Sequence, residues 1–154
     1  MSVPPLYQQL VLEHSRAPRR FGDLAGHTHA ADGTNPLCGD ALHIELCVAE
    51  GRIVGYAFRG EACAVARASA SMLGDRLDKS DVAMLDGIES ALRNVIEGKG
   101  TQDDSLGNLS ALATLAHYPS RRKCALLPLA TVRAALCGSG SATTEKSENE
   151  ESSR

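Results

Sequence analysis

Cys38 and Asp40, whose side chains can bind a metal or react, lie two positions apart in the sequence. They flank Gly39, so in an extended segment the thiol and the carboxylate leave the same face, with room between them. A third candidate, Cys63, stands where a predicted strand gives way to a predicted helix. Unpaired backbone N–H groups at the start of a helix favour a thiolate over a thiol. These residues predict sites for metal binding or for sulfur chemistry.

A further thiol, Cys124, directly follows three consecutive bases, Arg121 to Lys123. Positive neighbours predict a lowered thiol pKa. Three thiolates and one carboxylate suit a four-coordinate zinc site, with Zn–S distances of about 2.3 Å. The chain has no Cys-x-x-Cys pair, so only the fold could bring these ligands together. The alternative is three separately buried cysteines, because free cysteine is among the most buried residue types.

The other cysteines and several histidines are predicted to lie outside this site. Cys47 falls on the polar side of an alternating segment, and Cys137 precedes the C-terminal tail. His43 alternates onto the same polar face and is expected to be a solvated surface residue. His27 and His29 flank a short predicted strand, which leaves a second metal site there as an alternative.

Hydrophobic alternation predicts the strands that would hold these residues. Apolar residues alternate from Asp40 to Val48 and again from Ile53 to Arg59, across a compact turn at 50–52. Two such runs predict an antiparallel hairpin. A short strand near 27–31 would make a third. We therefore expect a small three-stranded antiparallel sheet.

Helical spacing of apolar residues predicts four to five helices packed on that sheet. Asp81 is a predicted N-cap. Pro128 predicts that the last helix begins near Lys123–Ala125 or bends at the proline. The fold class is thus α+β, with the metal site at one end. The predicted helical segments are 6–15, 63–77, 82–96, 106–115 and 119–136.

Composition predicts one folded domain, residues 1–137, and a disordered acidic tail, residues 138–154. The net charge of −3 gives no reason to expect nucleic acid or an anionic membrane as a partner. The N-terminus shows no signal peptide and no apolar run is long enough to span a membrane, so we expect a cytoplasmic protein. Its five cysteines are then expected to stay reduced.

Four motifs resemble the scaffold proteins of iron–sulfur cluster assembly, of the IscU, SufU and NifU N-terminal type. The resemblance covers about Leu6 to Leu136. It is carried by LYQQLVLEHSRAPRRFG at 6–22, NPLCGD at 35–40, GEACAVARASASM at 60–72 and YPSRRKC at 118–124. The resemblance implies that the metal or cluster ligands and sulfur-accepting residues are Cys38, Asp40, Cys63 and Cys124.

Within that family the chain is most similar to the SufU branch. Lys123 stands where IscU-like proteins carry histidine, the stretch between Cys63 and Cys124 is longer, and no LPPVK segment is recognisable. SufU-like proteins bind zinc and take persulfide sulfur from a SufS-like cysteine desulfurase. Arg121 matches an arginine of that branch and is an expected partner contact.

The resemblance thus implies zinc-dependent acceptance of persulfide sulfur, with Cys38 as the acceptor because Gly39 makes its loop flexible. The sulfur would pass to downstream iron–sulfur assembly or carrier proteins, so the chain would be a sulfurtransferase-like carrier at most. Two alternatives stay open. One is a scaffold that binds iron or an Fe–S cluster without catalysis, and the other is a structural zinc module that activates a desulfurase.

Overall fold

The structure is a computed structural model that describes residues 5–36, 38–99 and 104–143. Its helices and strands follow the predicted order, with one added strand at the C-terminal end. In chain order they are α1 (Pro5–Arg16), β1 (His29–Asn35), β2 (Asp40–Ala49), β3 (Arg52–Glu61), α2 (Ala64–Leu77), α3 (Leu85–Ile96), α4 (Arg122–Cys137) and β4 (Ser141–Thr143). Three 3-10 segments cover Val82–Met84, Asp104–His117 and Pro119–Arg121.

The sheet differs from the predicted one in its number of strands and in their direction. Within the described residues it has four strands in the order β3-β2-β1-β4, and β4 pairs parallel to β1. The prediction of three antiparallel strands was therefore wrong. The cause is the shortness of β4, which has three residues and no apolar alternation to reveal it. Within the described part of the chain, four α-helices and the long 3-10 segment make five helices, in agreement with the prediction of α+β architecture.

The hairpin of β2 and β3 forms as its alternation predicts. Glu50 and Gly51 both have positive φ, +53° and +76°, which is the backbone of the tight turn that matches the twist of paired strands. On the inner face of the hairpin, Ile44, Leu46 and Phe58 are fully buried. The hairpin thus contributes the apolar sheet face on which the helices pack.

Helices cover one face of the sheet in layers. Helix α4 packs on β1, β2 and β4, while α2 packs on β3 and beside α4. Helix α1 and the 3-10 segment Asp104–His117 pack against α2, and α3 lies against that segment. Small side chains along α2 permit this close packing on several sides, and those fully buried include Ala66, Ala68, Ala70 and Ser71.

The segment Asp104–His117 is 3-10 helical on both sides of a break at Gly107, where φ is +58°. After the break, Leu109, Leu112 and Leu115 recur every third residue, which matches the three residues per turn of a 3-10 helix and places them on one face. All three are buried, as is Leu106 before the break.

Helix α4 runs without interruption through Pro128, which is buried inside it. It starts at Arg122, close to the start near Lys123–Ala125 that Pro128 predicted and inside the predicted segment 119–136. Proline lacks the N–H that would bond to the carbonyl four residues earlier, here that of Cys124. Beyond Gly138, the ordered chain continues through β4 to Thr143, past the predicted start of the tail at residue 138.

Residues 144–154, which hold most of the predicted acidic tail, lie outside the described residues. Among the described helices, none combines the length and the apolarity that crossing a membrane requires.

Candidate metal and thiol site

The turn between β1 and β2 positions the first two site residues. Asn35 and Asp40 pair across the last rung of the two strands. Within the turn, the Cys38 N–H donates to the Asn35 carbonyl at 3.1 Å, and Gly39 has a positive φ of +72° that favours glycine. Cys38 is exposed on this turn, whereas Asp40 is 2% exposed. The hairpin therefore presents one accessible thiol beside one buried carboxylate.

The start of α2 brings Cys63 against that carboxylate. Cys63 is the N-cap residue of the helix, and its Sγ accepts the Ala66 N–H at 3.4 Å. Its backbone N–H donates to Asp40 Oδ1 at 2.7 Å, and its Sγ lies 3.8 Å from Asp40 Oδ2. Asp40 thus holds the helix start and the thiol together.

The first turn of α4 supplies the remaining thiol. Cys124 is fully buried, and its Sγ lies 3.3 Å from the Sγ of Cys38. Because α4 packs on β1 and α2 packs beside α4, the three elements that carry the thiols meet at one end of the sheet.

Three of the four predicted ligand atoms are spaced closely enough to share one small cation. The ligand atoms of Cys38, Asp40 and Cys124 lie within 4.8 Å of one another, and among the described residues no other group of three or more such side chains is this compact. Cys63 lies outside this group of three, although its Sγ is 3.8 Å from Asp40 Oδ2. Zn–S and Zn–O bonds of ordinary length imply edges of about 3.6–3.8 Å in a tetrahedron. The observed separations of 3.3 Å and 3.8 Å lie close to that range.

The thiols of Cys63 and Cys124 have different pKa values. A hydrogen bond with Cys124, assisted by the Ala66 N–H, lowers the pKa of Cys63 to about 6. The same hydrogen bond, together with burial, raises the pKa of Cys124. The prediction that the preceding bases lower the pKa of Cys124 was therefore wrong, because its hydrogen bond with Cys63 and its burial raise that pKa. A bound cation would favour both thiolates over their thiols.

Arg121 lies at the site, beside Cys124. It is exposed, and its hydrogen bond with Cys124 raises its own pKa. An exposed guanidinium beside three sulfurs can bind an anion that approaches them.

The remaining cysteines lie elsewhere. Cys47 Sγ donates to the Gly26 carbonyl at 3.4 Å, on the outer face of the sheet. Cys137 ends α4, about 20 Å along the helix axis from Cys124.

Two histidines of the outer face, His43 and His27, lie against carboxylates. His43 contacts both Asp32 and Glu45, at 2.8 Å and 3.1 Å, so it is less solvated than predicted. His27 approaches Glu45 at 3.6 Å. The compact ligand group found in the described residues excludes these histidines, which argues against the alternative of a second site at His27 and His29.

One residue at the site carried no predicted role. Asn35 is fully buried, and its side-chain amide donates to Cys124 Sγ at 3.6 Å. The available signal was a polar residue directly before a proline, four positions beyond the strand predicted at 27–31. Its burial was not readable from the sequence, because it depends on α4 covering the strand.

The fold and site together define an α+β protein with a compact group of thiols and a carboxylate at the end of a hairpin. The sequence matches the NifU-like N terminal domain over residues 6–125. The chain belongs to this family, which includes IscU and SufU.

Named relatives and solved structures agree with this assignment. The chain is 33% identical to the zinc-dependent sulfurtransferase SufU of Bacillus subtilis, over 82% of this chain and 86% of the relative. It is 26% identical to the iron-sulfur cluster assembly scaffold protein IscU of Thermotoga maritima, over 85% of this chain and 92% of the relative. The crystal structure of a nitrogen-fixing NifU-like protein (N-terminal) from Brucella abortus shares the fold, with a TM-score of 0.76, 21% identity, and coverage of 84% of this chain and 91% of that one.

Proposed function

We propose that this chain is a zinc-holding sulfur carrier in iron–sulfur cluster assembly, which accepts persulfide sulfur from a cysteine desulfurase. The observation that carries the proposal is the convergence of Cys38, Asp40, Cys63 and Cys124 at one end of the sheet. Three sulfurs and one carboxylate oxygen suit zinc. The similarity to a SufU over most of both chains supports zinc over iron, while the IscU relatives support the broader role in cluster assembly.

Cys38 is the proposed acceptor because it is the accessible thiol of the set. It lies exposed on the turn beside Gly39, whereas Cys124 is buried and Cys63 is held by its helix start. Bound zinc would keep the site thiols deprotonated and protected from oxidation. A freed Cys38 would then be the sulfur that a docked partner reaches first, and Arg121 would contact the incoming anionic group.

The chemical step is an exchange between sulfurs. The Cys38 thiolate attacks the outer sulfur of the desulfurase persulfide, forming a new S–S bond as the original S–S bond breaks. The desulfurase cysteine leaves as a thiolate, and the persulfide now resides on Cys38. No external oxidant or reductant is needed, since one S–S bond replaces another. Downstream assembly or carrier proteins would receive the sulfur.

The second candidate function is that of a scaffold that holds iron or a cluster. It is favoured by the 26% and 31% identity to two IscU scaffold proteins. Anaerobic reconstitution with iron and sulfide distinguishes the two, because a scaffold gains a stable visible chromophore and a zinc-dependent carrier does not.

The deciding experiment compares the wild-type chain with Cys38→Ser in a desulfurase assay supplied with cysteine. Wild type is expected to gain one sulfur atom on Cys38, seen by mass spectrometry, and to raise sulfide release with a reductant. Cys38→Ser is expected to lose the added sulfur while it keeps the fold, because Cys38 lies on an exposed turn. Cys47→Ser, on the outer face of the sheet, is the matched control and should behave as wild type.

Persulfide formation on Cys38→Ser equal to that of wild type would overturn the assignment of the acceptor. Undiminished stimulation of the desulfurase without sulfur on the chain would instead identify a structural zinc module.

A further inference from the structure

A fully buried amide lies in the middle of the site and touches several of its parts. Asn35 is the last residue of β1, is 0% exposed, and pairs directly with Asp40 across the strands. Its carbonyl accepts the Cys38 N–H and closes the turn that carries that thiol. Its side-chain Nδ2 donates to Cys124 Sγ on α4. One residue thus connects the turn, the strand pair and the buried thiol.

The other half of the same amide is unsatisfied. Within the described part of the chain, Asn35 Oδ1 is buried and accepts no hydrogen bond. A buried polar atom without a partner lowers stability, so a residue chosen for stability alone would avoid it. An apolar side chain would fill this position without that cost. The donor half of the amide, which contacts Cys124, is therefore the half that can serve the site.

We propose that Asn35 is a positioning residue that holds Cys124 as the fixed ligand of the metal and so leaves Cys38 as the one released. This inference rests on the proposed function. A hydrogen bond to a coordinated sulfur fixes its direction and reduces its negative charge, and such supporting contacts tune metal affinity. Cys124 receives this contact and is buried, whereas Cys38 is exposed. The two thiols are 3.3 Å apart, yet only the exposed one is free to leave.

The test uses the full chain with the amide removed. Asn35→Leu keeps a similar size and eliminates both the donor and the unsatisfied oxygen, while Asn35→Ala serves if leucine does not fit. Asn94→Leu, at an exposed position of α3, is the matched control. Zinc affinity is measured by competition with a chromophoric chelator, and cobalt substitution reports the sulfur-to-metal bands. Alkylation of the zinc-loaded protein, mapped by mass spectrometry, reports which thiol is released first.

Loss of the amide is expected to weaken zinc binding about 10- to 100-fold. It should also alter the spectrum of the cobalt-substituted protein. The rate of alkylation of Cys124 should rise toward that of Cys38. The unfolding midpoint of the zinc-free Asn35→Leu chain should stay at or above that of wild type. A merely structural role would lower the midpoint and leave the cobalt bands of the folded fraction unchanged, which would overturn the inference.

Zinc affinity within twofold of wild type, with Cys124 still protected, would also overturn the role of Asn35 and leave the proposed function standing. Absence of zinc and cobalt binding by wild type would refute the proposed function itself.

Discussion

Replacing Gly33 by alanine should separate α4 from β1 and loosen the site at their common end. A β-carbon at this position would lie 1.9 Å from Thr131 Oγ1, 3.1 Å from Thr131 Cβ and 3.2 Å from Leu127 Cδ1. The first distance is far inside van der Waals contact. Thr131 cannot simply rotate away, because it is fully buried and its hydroxyl donates to the Leu127 carbonyl at 2.8 Å. Either that bond breaks or the helix moves.

Overpacking of this kind costs about 1–3 kcal/mol in free energy of unfolding. The clash comes mainly from one atom, so the cost should depend on Thr131. In a Thr131→Ala background the hydroxyl is gone and the nearest remaining contacts exceed 3 Å. The cost of Gly33→Ala is then expected to fall by about 1 kcal/mol or more, a coupling typical of residues in direct contact.

Urea unfolding of the four proteins in this double-mutant cycle measures the coupling, and chelator competition measures zinc affinity in parallel. Gly87→Ala is the control, because a β-carbon there meets nothing within 4 Å and Gly87 lies in α3. It should be neutral or stabilising by up to about 1 kcal/mol. If Gly33→Ala cost the same with Thr131 present or absent, the packing of α4 on β1 described above would be wrong.

Two further perturbations test the carboxylate and the buried imidazole. Asp40→Ala should destabilise the zinc-free protein by about 1–3 kcal/mol, because the Cys63 N–H loses its acceptor. Asp40→Asn keeps an acceptor oxygen and should destabilise the protein less. Equal losses of stability for the two variants in urea unfolding would contradict this. Burial lowers the pKa of His14, whose Nδ1 lies 2.6 Å from Ser71 Oγ, so the unfolded chain binds more protons near neutral pH. Stability should therefore fall as the pH drops from about 6.5 through the lower folded-state value, and His14→Gln should flatten that slope; parallel urea midpoints for both proteins across this range would refute the assignment.

The spacing of apolar residues predicted most of the helices and strands, because each helix or strand places its own apolar residues at a characteristic period. The hairpin of β2 and β3, helix α2 and helix α3 follow directly from such spacing. The steps of three from Leu109 to Leu115 also match the 3-10 geometry that this part of the segment adopts. Strand β4 was missed because its three residues carry no pattern, and its pairing partner lies far away along the chain.

The protonation of the site was not predictable in the same way. Three bases beside Cys124 indicated a lowered pKa, yet its burial and its hydrogen bond with Cys63 raise it. Sequence neighbours describe only the charges along the chain, whereas a thiol responds to everything packed around it.

The sequence alone determined the residue types suited to bind metal, the elements that carry them and the family to which the chain is similar. Tertiary structure decided that Cys38 and Cys124, 86 residues apart in sequence, lie with their sulfurs 3.3 Å from each other. It also decided that Cys38 is exposed and Cys124 buried, and that the side-chain amide of Asn35 contacts the buried thiol. The physical reason is that periodicity is a local property, while contact, burial and shared protons arise only when α4 and α2 pack on the sheet.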